Sequence, residues 1–261
     1  MRAAIVTGAA HGIGRRIAMR LARDGMSVLL TDRDEAGLKD GVAEIAHEVP
    51  GATVAFVASD LVDPTAPDKL VEACRSRFGR VDHLVNNAAD QTPGGIVETD
   101  LTTWNRVMAV NVTAPFLLAK AALADLAENR GAIVILGSLV GNQPIPDRTA
   151  YCTSKAAVAG LARVMAAELG AFGVRVNALA PGHIMTDGRD DWETRYTPAA
   201  KSAFPMSYPI GRVGDADEVA GVVSFLLSED AGFITGATIP IDGGMSILCP
   251  ETAVFRTAGL I

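Results

Sequence analysis

Short apolar runs alternate along the chain with longer amphipathic stretches. Residues 3–7, 27–31, 53–58, 82–86, 132–137, 175–180 and 237–241 are rich in Val, Ile and Leu. Most are apolar at successive positions, whereas a strand buried on one face only would alternate. Runs apolar on both faces predict central strands of a parallel sheet. Between them lie helix-like stretches, at 12–24, 35–49, 64–78, 101–129, 149–172 and 215–227. Strand–helix alternation predicts a doubly wound α/β fold, a seven-stranded parallel sheet with helices on both faces and right-handed crossovers. No linker, repeat or low-complexity tract interrupts the order, so residues 1–261 read as one domain. The segment between Gly182 and Gly211 breaks the alternation and carries Trp192, Tyr196, Phe204, Tyr208 and three prolines. A connection of that length reads as a lid or substrate loop, about residues 183–211, or as an irregular link.

Composition narrows the class. With 49% hydrophobic and 20% charged residues, the 261-residue chain can build a substantial core. Its net charge of −7 repels phosphates, so neither nucleic acid nor an anionic membrane is an expected partner. Cys74, Cys152 and Cys249 are far apart, as are His11, His47, His83 and His183, and no spacing suits a metal. An acidic, cysteine-poor chain is expected to keep reduced thiols in the cytoplasm. No apolar run reaches the roughly 18 residues of a membrane helix. The first strand begins by residue 3, so no signal peptide is expected.

The first strand runs into Thr7-Gly8-Ala9-Ala10-His11-Gly12-Ile13-Gly14 and then into a helix. Glycines let a backbone turn tightly and approach a ligand, and a helix N-terminus offers free N–H groups and a positive dipole end. That order suits a pyrophosphate better than three glycines alone would. The second strand ends at Asp32, whose carboxylate can accept hydrogen bonds from an adenosine ribose and repel a 2′-phosphate. Asp32 thus favours NAD over NADP, while the neighbouring Arg33 could hold that phosphate. Asp32 could otherwise cap a helix. Arg15 and Arg16 read as a solvated helix face.

Through these motifs and those that follow, the chain resembles the classical branch of the short-chain dehydrogenase/reductase family from Ala3 to Gly244. The family's TGxxxGxG is matched by Thr7, Gly8, Gly12 and Gly14, and its Asn-Asn-Ala-Gly by Asn86-Asn87-Ala88-Ala89, where Ala89 replaces a glycine. The resemblance implies a Rossmann-type fold that binds NAD. It places Asp60, followed by Leu61, against the adenine, and Asn111, Ser138, Tyr151 and Lys155 in catalysis. The Pro-Gly-x-Ile-x-Thr element is matched by Pro181, Gly182, Ile184 and Thr186, with Thr186 on the nicotinamide carboxamide. Gly8, His11, Gly12, Ile13, Gly14, Asn87 and Ala88 complete the expected cofactor surface.

The chemistry explains the residue types. Tyr151 and Lys155 are four apart and share one helix face. A free phenol, with a pKa of about 10, is a poor base near neutrality, and a neighbouring ammonium is expected to lower it. Tyr151 could then take the alcohol proton while hydride leaves the carbinol carbon, with Ser138 orienting the oxygen. By resemblance, Lys155 also binds the nicotinamide ribose, and Asn111 holds a water linking Lys155 to solvent. Cys152 reads as a packing residue, since no base stands beside it in sequence.

The substrate is less legible. Val140, Asn142, Gln143, His183 and Trp192 occupy the family's specificity segments, and their polar groups favour a sugar or polyol. A hydroxyacyl compound and an apolar alcohol are the other candidates. A homotetramer is implied by the resemblance, through the two long helices and the last strand. The tail, residues 245–261, could cap a neighbouring subunit's pocket, pack on its own subunit or fray. Two rivals are an NADPH-dependent 3-oxoacyl reductase and a cofactor-binding regulatory protein without catalysis.

Overall fold

The computed structural model describes residues 1–186, 197–249 and 251–260. Its strands are β1 (Ala3–Thr7), β2 (Ser27–Asp32), β3 (Val54–Ala58), β4 (His83–Asn86), β5 (Ala132–Leu136), β6 (Arg175–Pro181), β7 (Ile184–Met185), β8 (Gly214–Asp215) and β9 (Thr238–Ile241). All but β7 and β8 form one seven-stranded sheet, ordered β3-β2-β1-β4-β5-β6-β9 and parallel throughout. The short β7 and β8 pair with each other.

Ten α-helices are assigned among the described residues: α1 (Gly12–Arg23), α2 (Glu35–Glu48), α3 (Ala66–Phe78), α4 (Leu101–Met108), α5 (Ala114–Ala121), α6 (Leu123–Asn129), α7 (Thr149–Leu169), α8 (Pro198–Met206), α9 (Ala216–Leu227) and α10 (Glu251–Thr257). They cover both sheet faces, because successive strand side chains point to opposite sides. Val6, Val28 and Leu30 pack with Ile17 and Leu21 of α1, Ile45 of α2 and Val219 of α9. Ile5, Leu29 and Ile133 pack with Leu70 of α3, Leu118 of α5 and Val158 of α7. Both faces are apolar for that reason, and every residue of β1 and β5 is buried.

The helix expected over 101–129 is interrupted. A π-turn, Ala109–Thr113, separates α4 from α5, and α6 starts after Ala122. Pro115 lies in the first turn of α5; it has no N–H to donate and its ring clashes with a regular preceding turn. The wider π-turn relieves this and places Asn111 in the interior. The segment expected as a loop contains α8, whose cap is Thr197, with Oγ1 accepting from Ala200 N at 3.2 Å.

Among the described residues no single helix is long and apolar enough to cross a membrane. From β1 the chain steps outward to β2 on one side, and β4 lies on the other. The crevice beyond their carboxyl ends is where such sheets bind ligands.

Candidate active site

The turn between β1 and α1 cannot be built without glycine. Gly8 and Gly12 have φ of +65° and +52°, in the left-handed region that side chains disfavour. A Cβ on Gly8 would lie 2.7 Å from Ala88 Cα, and one on Gly14 only 2.1 Å from the Gly8 carbonyl oxygen. Asn87 locks the turn: its Nδ2 donates to Thr7 O and Gly8 O at 3.0 Å each, and its backbone N donates to Thr7 Oγ1 at 3.0 Å. Asn87 and Ala88 thus hold the loop's shape. Gly14→Ala is expected to destabilise the chain by about 3 kcal/mol, because backbone cannot move aside as a rotamer does. Urea denaturation checks this; a loss below about 1 kcal/mol would show that the turn yields.

No side chain caps α1, so its first-turn N–H groups are available to a ligand. The ring of His11, at the cap position, lies instead 2.7 Å from Asp34 Oδ2. Asp32 ends β2, and its carboxylate accepts from Asp34 N at 3.1 Å and Ala10 N at 3.4 Å. Asp32, Arg33, Asp60 and Leu61 line one end of a cavity of about 680 Å³, with Gly8, His11, Gly12 and Ile13 along its floor. Thr31 Oγ1, on the same wall, is buried with no protein partner. A glycine cradle, an uncapped helix start and carboxylates at one end fit a dinucleotide. Arg15 and Arg16 are tied to the protein, Arg15 Nη1 lying 3.2 Å from Glu44 and Arg16 Nε 2.6 Å from Asp217.

The other end of the cavity holds Ser138, Tyr151 and Lys155. Tyr151 and Lys155 sit one turn apart on α7, and Lys155 Nζ stands 5.6 Å from the Tyr151 ring centre. Lys155 Nζ donates to Leu136 O at 2.6 Å, at the end of β5. Ser138 follows two residues later and hydrogen-bonds the Tyr151 phenol. Asn111 reaches the cluster from the π-turn. Its Nδ2 donates to Asp90 O (3.0 Å) and to Ser154 Oγ (2.9 Å), while Oδ1 accepts from Asp90 N (2.7 Å). Ser154 Oγ in turn donates to Tyr151 O at 2.7 Å. The Asn111 side chain therefore braces the Tyr151 turn and the 90-loop together.

One expectation about this cluster is corrected. Burial pushes the Tyr151 phenol up to about 12, outweighing the Ser138 hydrogen bond that lowers it. Lys155 does not bring the phenol down in this geometry, because desolvation dominates both groups. Burial likewise holds the Lys155 ammonium down, to about 8 from 10.5. Between pH 8 and 10.5 the unfolded chain binds more protons at this lysine, so stability rises with pH there. Between pH 10 and 12 the folded chain keeps the Tyr151 proton, so stability falls. Lys155→Met is expected to be more stable than the parent by about 2 kcal/mol at pH 7, the advantage shrinking from about pH 8 and vanishing above about pH 10.5. Urea unfolding at each pH measures this, and a difference constant with pH would contradict it.

The substrate candidates divide. Pro181, Gly182, His183, Ile184 and Thr186 line the cavity. The His183 ring lies 4.9 Å from Phe204, and its backbone N donates to Tyr208 Oη at 3.1 Å. Val140, Asn142 and Gln143 are not among the lining residues. Val140 lies in the short helical turn Leu139–Gly141, and Gln143 Nε2 donates to Ser246 O at 3.4 Å. Trp192 and Tyr196 lie outside the described residues. The wall also contains Asp90, Gln91, Thr92 and Arg106, which sequence reasoning missed. Arg106 joins Asp90 (Nε–Oδ2 2.9 Å) and Thr92 (Nη2 to Oγ1 2.6 Å), and Thr92 N donates to Asp90 Oδ1 at 2.8 Å. An Asp-x-Thr turn signal was readable there, but its arginine partner was not. Ala89 is accommodated: among described non-glycine residues only Arg130 and Asp147 have positive φ.

Cys152 is buried, its Sγ 3.8 Å from Ile145 O. The tail folds onto its own chain, with Arg256 Nη1 donating to Met206 O and Tyr208 O at 3.0 Å each.

Comparison with known proteins bears on the family and the fold. A family profile described as Enoyl-(Acyl carrier protein) reductase matches residues 8–246. The chain is 37% identical to 2-(S)-hydroxypropyl-CoM dehydrogenase 3 of Xanthobacter autotrophicus, over 93% of this chain and 96% of that one. It is 35% identical to the 3-oxoacyl-[acyl-carrier-protein] reductase FabG of Haemophilus influenzae, over 93% and 97%. A solved short-chain dehydrogenase/reductase of Serratia marcescens, a double mutant, superposes with a TM-score of 0.84 at 34% identity, covering 94% of this chain and 98% of that one.

Proposed function

The chain belongs to the short-chain dehydrogenase/reductase family, NAD(P)-dependent oxidoreductases acting on CH–OH groups, and we propose that this member uses NAD to interconvert a secondary alcohol and a ketone, with a sugar or polyol as substrate. The observation that carries the reading is the meeting of Ser138, Tyr151 and Lys155 at one end of a cavity whose other end is walled by Asp32.

When bound, the nicotinamide supplies the site that accepts or donates the hydride. Gly8, Gly12, Ile13 and the start of α1 would hold the pyrophosphate, with Gly14 and Asn87 keeping the turn in shape. Asp32 would accept from the ribose hydroxyls, and Asp60 and Leu61, which line the same cavity, would receive the adenine. Ile184 and Thr186 would hold the carboxamide end. Ser138 orients the substrate oxygen, and Tyr151 takes its proton in oxidation or returns it in reduction. Lys155 would hold the nicotinamide ribose, and its ammonium stands 5.6 Å from the centre of the phenol ring.

Gln91, Thr92, Arg106 and His183 make one wall of the cavity polar, half-buried to exposed, and a polar wall suits a hydroxylated substrate better than an apolar one. The 2-hydroxypropyl group in one relative's name is itself a secondary alcohol. A second reading, an NADPH-dependent 3-oxoacyl reductase, draws on the relative of that name and on Arg33, which has no ion pair or hydrogen bond among the described residues. Steady-state kinetics with NAD and NADP across polyols, sugars, hydroxyacyl esters and simple alcohols separates the two. Turnover of polyols with NAD is expected; turnover confined to ketoacyl esters with NADPH would reject it.

The homotetramer belongs to the same proposal. Phe116 on α5 and Val164 on α7 stand exposed, apolar surface that subunit contact would cover. Light scattering should return four times the chain mass, in a protein of the cytoplasm. The non-catalytic rival is disfavoured because Ser138, Tyr151 and Lys155 are all retained and adjacent.

A further inference from the structure

Asp34 stands two residues beyond Asp32 and uses both carboxylate oxygens. Oδ1 accepts from Gly37 N at 3.0 Å and caps α2. Oδ2 lies 2.7 Å from His11 Nε2, with both side chains only about one-third exposed (34% and 29%). Gly37 makes room for that ring, since a Cβ there would lie 2.6 Å from His11 Nε2. His11 lines the cavity beside Asp32, so its imidazole borders the adenosine end. The capping carboxylate draws it down onto the start of α2.

The other cations in this corner differ in how they are held. Arg15 Nη2 donates to Gly37 O at 2.7 Å, and its Nη1 faces Glu44. Arg33 lines the cavity without a partner among the described residues, next to the Asp32 carboxylate. A phosphate esterified to the ribose would meet one repelling carboxylate at Asp32, and it would find the nearest imidazole already engaged by a second.

We propose that Asp34 is a further specificity-determining residue: by holding the His11 imidazole, it withholds from a 2′-phosphate a donor that borders its place, so discrimination rests on Asp32 and Asp34 jointly. This rests on the reading that Asp32 faces the adenosine ribose. It differs from that reading in naming a residue that acts through a histidine, not by touching the ribose.

The test is calorimetric titration of the full-length protein with adenosine 5′-monophosphate and with adenosine 2′,5′-bisphosphate. Asp34→Asn keeps the cap on α2, because asparagine caps as well as aspartate, and Asp34→Ser provides a second capping variant. Each is expected to bind the bisphosphate about tenfold more tightly than the parent, since a hydrogen bond to a charged group is strong, with monophosphate affinity unchanged. Most of that gain is expected to disappear when His11→Ala is added, as coupling through the imidazole requires. No gain in either capping variant would overturn the proposal. So would a gain that mostly survives His11→Ala, which would assign it to removal of charge alone. A parent protein that binds the bisphosphate more tightly than the monophosphate would overturn the NAD reading itself, and the proposal with it.

Discussion

Tyr151→Phe is expected to lower kcat by about 10³-fold while leaving dinucleotide binding within about twofold. The substitution removes one oxygen and keeps the ring, so the packing of α7 against the end of β5 stays. Among the described residues lining the cavity, the lost group is the only phenol. Ser138 is an aliphatic alcohol, far less acidic than a phenol, and cannot take its place in proton transfer. The adenosine end, at Asp32 and Asp60, is formed by β2 and the loop after β3 and does not depend on α7. Affinity for NAD should therefore hold while turnover collapses. Single-turnover kinetics alongside calorimetry separates the two quantities. A variant that keeps turnover within about tenfold would move proton transfer away from Tyr151.

Asp32→Ser is expected to lower the ratio of kcat/KM for NAD to that for NADP by about 10³-fold, because a loss for one cofactor and a gain for the other combine. Loss of the carboxylate weakens a charge-assisted contact to the ribose hydroxyls. The same change removes the charge that repels a 2′-phosphate and leaves Arg33, which lines the cavity without a partner among the described residues, to receive it. The serine hydroxyl can still accept from Asp34 N, as Asp32 Oδ1 does at 3.1 Å, so the turn into α2 is expected to survive. Rates with both dinucleotides and one substrate measure the ratio. A ratio that falls only because NAD is lost, with no gain for NADP, would show that Arg33 does not reach the phosphate.

Much of this architecture is legible in the sequence because the central strands are buried on both faces, which leaves unbroken apolar runs such as Ala132–Leu136. The break at Ala109–Thr113 is not, since apolar residues continue through it and only Pro115 signals trouble. Helix α8 has a readable start in Thr197-Pro198, but Pro205 inside it suggests a loop. Within the site, Gly8, Gly12 and Gly14 announce themselves because approaches of 2.1 to 3.2 Å leave no room for a side chain. The Arg106–Asp90 pair and the His11–Asp34 contact join positions with no shared period, so only folding reveals them. The pH behaviour of Tyr151 escapes the sequence for a related reason. Spacing places Lys155 beside it but says nothing of the burial that raises the phenol.

The most direct test uses a polyol deuterated at its carbinol carbon, mixed with the protein and NAD, followed by mass analysis of the reduced cofactor. One deuterium is expected on the nicotinamide ring with the parent protein, and none with Tyr151→Phe within the same time. Tight NAD binding with no labelled reduced cofactor, from that polyol or any other deuterated secondary alcohol, would contradict the account and leave a dinucleotide-binding protein without this chemistry.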